Sequence, residues 1–344
     1  MALYPQSSAE RDRFVLSRRR PRPALDPWQY QNLLVEDERT AEGLVAPVAT
    51  VFLTGRECPW RCAMCDLWQH TTEDDTPRGA IAAQVAAATA ILRSRPDSVS
   101  RVKLYNAGSF FDPRAVPDDD YDGVAAALSG FTHVVVESHP ALVGPRVDRL
   151  LFALDRHGGD NRRVTELEVA MGLETAHPEA LRSLHKRMTV DDFTAAADAL
   201  RKRGVALRVF LLVFPPFVPF DEHDEWLRRS IDVAFDCGAG VVSLVPTRSG
   251  NGTLEALASE GLFRAPTLAD VERSIDLALA HAFSSGAHRG RSTRGRVFVD
   301  LWDIERFAAC SDCLDTRRAR LHATNLEQRR LPRASCPRCR EAGE

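Results

Sequence analysis

Three cysteines stand in the short run Cys58-Pro59-Trp60-Arg61-Cys62-Ala63-Met64-Cys65, directly after an apolar stretch. Cysteine thiolates hold iron–sulfur clusters, and a cubane offers four irons. Three closely spaced thiolates leave one iron without a protein ligand. An open coordination position distinguishes a catalytic metal site from a closed structural one, because a substrate or cofactor can bind there. The competing readings are three packed cysteines or part of a zinc knuckle.

A second set differs in kind. Cys310-Ser311-Asp312-Cys313 and Cys336-Pro337-Arg338-Cys339 form a C-x2-C-x22-C-x2-C pattern, close to zinc-ribbon spacing. Four thiolates closed around Zn²⁺ would staple a tail too small to fold on its own core. The same four suit an auxiliary [4Fe–4S] cluster, and thiolate softness does not separate the two metals. Only Cys237 lies outside these clusters, with ordinary packing as its expected role. Clustered cysteines fit metal ligation in a reducing compartment better than disulfides.

The elements that position these residues are legible as alternation. Apolar, strand-like runs occur at Ala49–Leu53, Val102–Asn106, His133–Glu137, Leu167–Leu173, Leu207–Phe214 and Val241–Pro246. Helix-like stretches lie between them at Ile81–Ser94, Tyr121–Leu128, Arg146–Arg156, Val190–Arg203 and Glu222–Cys237, with another at Leu268–Phe283. Repeated strand–helix alternation predicts a parallel sheet with helices outside. In such α/β folds chemistry gathers at the C-terminal strand ends. The polar landmarks fall there: Asn106, Gly108 and Ser109 after the second strand, Glu137 and His139 after the third, Glu174 after the fourth. The segment Arg296–Asp303 reads as a further strand joining the tail to the sheet edge.

The CxxxCxxC spacing, with these landmarks, resembles the radical S-adenosylmethionine (radical SAM) superfamily over about residues 46–250. The Tyr105–Asp112 and Gly172–Thr175 segments resemble its Elongator-catalytic-subunit-like, archaeosine-synthase-type branch. The resemblance implies a partial (β/α)6 TIM-like barrel with a small C-terminal extension that binds metal through four cysteines. It implies a [4Fe–4S] cluster on Cys58, Cys62 and Cys65 whose fourth iron takes SAM. Met64, Asn106, Gly108, Ser109, Glu137, Glu174, Lys186 and Arg208 are then the expected SAM contacts, with Arg187 a rival to Lys186. Arg208 has the alternative of a salt bridge to Glu174 or Glu137. His139 is the candidate catalytic acid or base. The loop Thr247–Thr253 is a candidate substrate loop. The implied reaction is reductive cleavage of SAM to a 5′-deoxyadenosyl radical that abstracts hydrogen, fed by an electron donor such as flavodoxin or ferredoxin.

The chain has 344 residues, a net charge of −3 and 44% hydrophobic residues. No run reaches the ~18–20 apolar residues of a membrane span, and the arginine-rich N-terminus lacks the apolar core of a secretory signal. A cytoplasmic protein is expected, with no membrane partner. The expected organisation is an N-terminal extension (1–45), in which Pro21, Pro23 and Pro27 discourage regular structure, a barrel (46–285) and a metal-binding tail (286–344). Both ends are rich in arginine, which can meet phosphate backbones and favours an RNA or nucleobase substrate over rearrangement of a small metabolite. A different class, a non-catalytic metal-binding nucleic-acid-binding protein, predicts closed coordination at both cysteine sets and no SAM binding.

Overall fold

The computed structural model describes residues 4–96, 98–158, 165–287 and 294–341. In chain order the elements are α1 (Ser8–Leu16), β1 (Asn32–Arg39), β2 (Val45–Phe52), α2 (Ala80–Arg93), β3 (Arg101–Tyr105), α3 (Asp120–Ala127), β4 (His133–Ser138), α4 (Pro145–His157), β5 (Glu166–Glu174), α5 (Pro178–Ser183), α6 (Val190–Lys202), β6 (Ala206–Val213), α7 (His223–Asp236), β7 (Val241–Pro246), α8 (Thr253–Ser259), α9 (Leu268–Ala287), β8 (Arg296–Val299), α10 (Leu314–Glu327) and α11 (Pro337–Glu341). The strands form one curled half-barrel sheet in the order β1 to β8. β1 runs antiparallel to β2, and every later neighbour pair is parallel.

Strand alternation sorts the side chains. Val102, Leu104, Val134, Val136, Val169, Met171, Val209 and Leu211 face the helices and join one continuous apolar core. The residues between them point to the concave side, because successive side chains alternate across a strand. That side is polar: Lys103, His133, Glu168 and Arg208 lie there. Arg208 donates to Glu168 at 2.5 Å and to Glu38 at 2.7 Å, and Lys103 also pairs with Glu38. His133 bridges Glu166 and Glu168. Coulomb attraction to Arg208 holds Glu168 down to about 2 despite its burial.

Two regions hold elements that the sequence reading did not name. The first 45 residues are not an irregular extension: α1 and β1 form there, and β1 adds Glu38 to the concave ion network. The prolines interrupt only the segment between α1 and β1. The tail, in turn, contains α10, which packs against both β1 and β8. Its Asn325 side chain accepts from the Val299 N–H at 2.9 Å and donates to the Val299 carbonyl at 2.8 Å. Gln328 does the same to Val297 at 2.8 and 2.9 Å. Two side-chain amides about one helical turn apart thus replace a ninth strand on the exposed edge of β8, whose backbone groups would otherwise invite pairing. Arg317 and Arg320 fix α10 to α9 through Glu272 and Asp276.

Candidate metal and cofactor site

The cysteine loop leaves β2 at its C-terminal end and is held from several sides. The Ala63 N–H donates to the Leu184 carbonyl at 2.9 Å. The Asn251 side chain donates to the carbonyls of Ala63 at 2.8 Å and Cys65 at 3.3 Å, while its oxygen accepts from the Leu254 N–H at the start of α8. The loop after β7 therefore clamps the cysteines, a role its Gly-rich sequence did not disclose. Glu57 draws Arg19, Arg22 and Arg61 together at 2.7, 2.5 and 3.1 Å, tying the segment after α1 to the same loop. Gly108 sits under Cys58, where an added Cβ would come within 3.5 Å of the cysteine Cβ.

Burial pushes all three thiols up, Cys62 to about 12, and negative charge on Cys58 raises the other two further. Among the described residues, the tail cysteines are the one group of three or more potential ligand atoms gathered within 4.8 Å.

The remaining polar landmarks converge at the ends of β3, β4 and β5. The backbone N–H groups of Asn106 (2.6 Å) and Gly108 (3.4 Å) donate to Glu137 Oε1. Burial still raises Glu137 to about 7. The Asn106 side chain is fully buried, and neither its oxygen nor its nitrogen has a partner. Such a group is costly unless something pairs with it. Glu174 and Lys186 pair with one another, and the Lys186 ammonium also donates to the Gly172 carbonyl at 2.6 Å. Arg187 turns away to Asp12 on α1, so of the two cations Lys186 faces the site. Ala107, Glu174, His185 and Arg187 all have positive φ, between 54° and 66°. Left-handed backbone at bulky residues is strained and tends to cluster at functional sites.

Other expected residues are differently employed. Arg208 sits early in its strand, at the opposite end from the cysteines, so its partners are Glu168 and Glu38 rather than Glu174, Glu137 or a ligand. His139 donates and accepts within the protein: Nε2 pairs with the Lys186 carbonyl at 2.9 Å and Nδ1 accepts from the Ala141 N–H at 3.1 Å. Its ring is covered by Trp60, and burial lowers its pKa to about 3. Both ring nitrogens are thus engaged within the protein. The Ser109 hydroxyl meets that of Ser138 at 3.0 Å and accepts from the His139 N–H at 3.4 Å, joining the ends of β3 and β4. Met64 packs near Tyr4, Ala63, Leu254 and Phe263.

The tail cysteines form a separate centre. Cys313 and Cys339 are 3.4 Å apart and Cys310 and Cys336 3.9 Å apart, sulfur to sulfur. Among the arginines around them, Arg317 pairs with Glu272 in the interior, while Arg318 with Glu305, Arg333 with Asp276 and Arg338 with Asp312 pair at the surface.

No protein-family model matches the chain. Over 261 residues it is 27% identical to archaeosine synthase subunit beta of Methanosarcina acetivorans, covering 72% of this chain and 70% of that protein. The chain resembles archaeosine synthase subunit beta. The resemblance to the archaeosine-synthase-type branch of radical SAM proteins therefore stands. Among solved structures, the archaeal Elp3 of Methanocaldococcus infernus is similar at 14% identity and a TM-score of 0.49, covering 74% of this chain and 60% of that one. Coproporphyrinogen III oxidase (HemN) from Escherichia coli, a radical SAM enzyme, gives 14% identity and a TM-score of 0.45, covering 71% and 54%. Among the described residues, no helix is long and apolar enough to cross a membrane.

Proposed function

We propose that the chain is a radical SAM enzyme acting on a nucleoside of RNA, with a structural zinc in its tail. The observation that carries the cofactor reading is the fully buried, unpartnered Asn106 carboxamide beside Glu137, on the glycine turn that abuts Cys58. Cys58, Cys62 and Cys65 would hold the [4Fe–4S] cluster. Asn106, Glu137, Glu174 and Lys186 would take the polar groups of SAM. When bound, cluster and cofactor supply reductive cleavage of the sulfonium C–S bond and a 5′-deoxyadenosyl radical that removes a hydrogen atom from the substrate.

The chain's own part is placement. A carboxylate such as Glu137 suits a cationic ligand, and Glu174 suits vicinal hydroxyls because it accepts two hydrogen bonds. The Trp60–His139 stack and the Asn251 clamp hold the thiols in position, so that cofactors which carry the hard chemistry meet the substrate in one orientation. An RNA nucleoside follows from the likeness to an archaeosine synthase. Zinc follows from the sulfur separations of 3.4 and 3.9 Å, which fit one tetrahedral ion. A cytoplasmic location belongs to the same reading, since free thiolate ligands persist in reducing compartments.

Iron, sulfide and zinc per chain, measured after anaerobic purification and cluster reconstitution, test the assignment. About four irons and one zinc are expected. About eight irons without zinc would make the tail a second cluster. Zinc without iron would overturn the radical SAM reading.

A further inference from the structure

Between the segment following α1 and the outer side of the cysteine loop lies a cavity of about 520 Å³. Its lining holds five arginines, Arg19, Arg20, Arg22, Arg56 and Arg61, against two glutamates, Glu57 and Glu73. None of the residues placed at the cofactor site lines it. Glu57 serves three guanidinium groups at once, those of Arg19, Arg22 and Arg61, and one carboxylate neutralises only one of them. Arg56 has its own partner in Asp75. Arg20 is exposed and makes no ion pair among the described residues. Trp68 backs the recess, with the Arg19 guanidinium 4.8 Å from its ring centroid.

Resting on the RNA reading above, we infer that this recess binds a phosphodiester of the RNA substrate. Guanidinium forks match phosphate oxygens bidentately, and desolvated walls strengthen their field. The volume lies within the roughly 300–1,000 Å³ of small-ligand sites, enough for a nucleotide unit. A docking face for an acidic protein would need a broad surface of about 800 Å² per partner, whereas these arginines converge in a hollow. Because Arg56, Glu57 and Arg61 flank Cys58, a strand anchored here is held close to the cysteine loop.

The test is fluorescence anisotropy of a labelled tRNA transcript against the full-length protein at several salt concentrations. Arg20→Glu is compared with Arg330→Glu, the same charge reversal on the exposed tail. Arg20→Glu is expected to weaken binding about tenfold and to lower the salt slope by about 1; Arg330→Glu should change affinity less than about twofold. Equal affinity for Arg20→Glu and the unaltered protein would overturn the pocket and leave the RNA reading intact. No salt-dependent binding by the unaltered protein would overturn both. Poly-L-glutamate binding more tightly than the transcript, and lost in Arg20→Glu, would assign the recess to an acidic protein instead.

Discussion

Lys186 reaches over Gly172: its ammonium donates to the glycine carbonyl at 2.6 Å on its way to Glu174. A Cβ at position 172 would collide with both the lysine nitrogen and the glutamate oxygen. The pair exists because that position has no side chain, and because a register shift between Gly172 and Glu174 lifts the end of β5. Gly172→Ala should therefore part a buried ion pair and cost about 3 kcal/mol or more. Chemical denaturation measures the loss, and SAM affinity by calorimetry should fall with it. An unchanged midpoint would mean that the pair is not held this way.

Glu137 gives a pH signature. Its folded-state pKa of about 7 lies above the ordinary value of 4.5, so the folded protein binds more protons between those values. Stability from this group is present at low pH and declines as pH rises from 4.5 through 7, by roughly 3 kcal/mol in all. Glu137→Gln should flatten that part of the stability profile. A cationic ligand prefers the ionised carboxylate, so SAM should bind more tightly as pH rises from about 6 to about 8 and release a proton. Calorimetry in two buffers of different ionisation enthalpy reads the proton directly.

Burial and the nearby Lys186 ammonium hold His139 well below the usual imidazole range, at about 3. Its substitution by Ala should loosen Trp60, whose ring lies 3.6 Å from it at 13°. The near-ultraviolet signal of tryptophan should change, and cluster retention should drop. The acid and base limbs of a pH–rate profile should keep their midpoints. A limb that disappears in His139→Ala would restore a role in proton transfer.

Arg208 pairs with Glu168 and Glu38 at the far end of the sheet. Arg208→Ala would leave Glu168 to His133 and Glu38 to Lys103, each without its guanidinium, a loss of about 3–5 kcal/mol. Protein that remains folded at low temperature should bind SAM as before. A selective loss of SAM affinity with stability unchanged would place the arginine at the cofactor after all.

Metal in the tail should report on the sheet edge. Cys313 lies immediately before α10, and α10 carries Asn325 and Gln328 to β8. Cys313→Ser, or chelation, should release α10 and speed amide exchange at Val297 and Val299 while β4 and β5 stay protected. Uniform exchange across all strands would show that the tail does not act on this edge.

The sequence by itself determined the class. Cysteine spacing is local, strand–helix alternation is a short-range pattern, and polar residues after apolar runs mark strand ends, so the parallel order and the strand ends where polar residues gather are readable without coordinates. Tertiary structure decided how each polar group is spent. A charge in an apolar strand, such as Arg208, must find a carboxylate; which one depends on its height on the sheet, and strand tilt is not written in one segment. β1 is hidden in the sequence because its Glu36, Asp37 and Glu38 look like solvent residues, yet Glu38 pairs with Arg208 from 170 positions away. Asn251, Asn325 and Gln328 carry no periodic signal at all. Their value lies in reaching backbone groups far along the chain, and only folding brings those groups within hydrogen-bond distance.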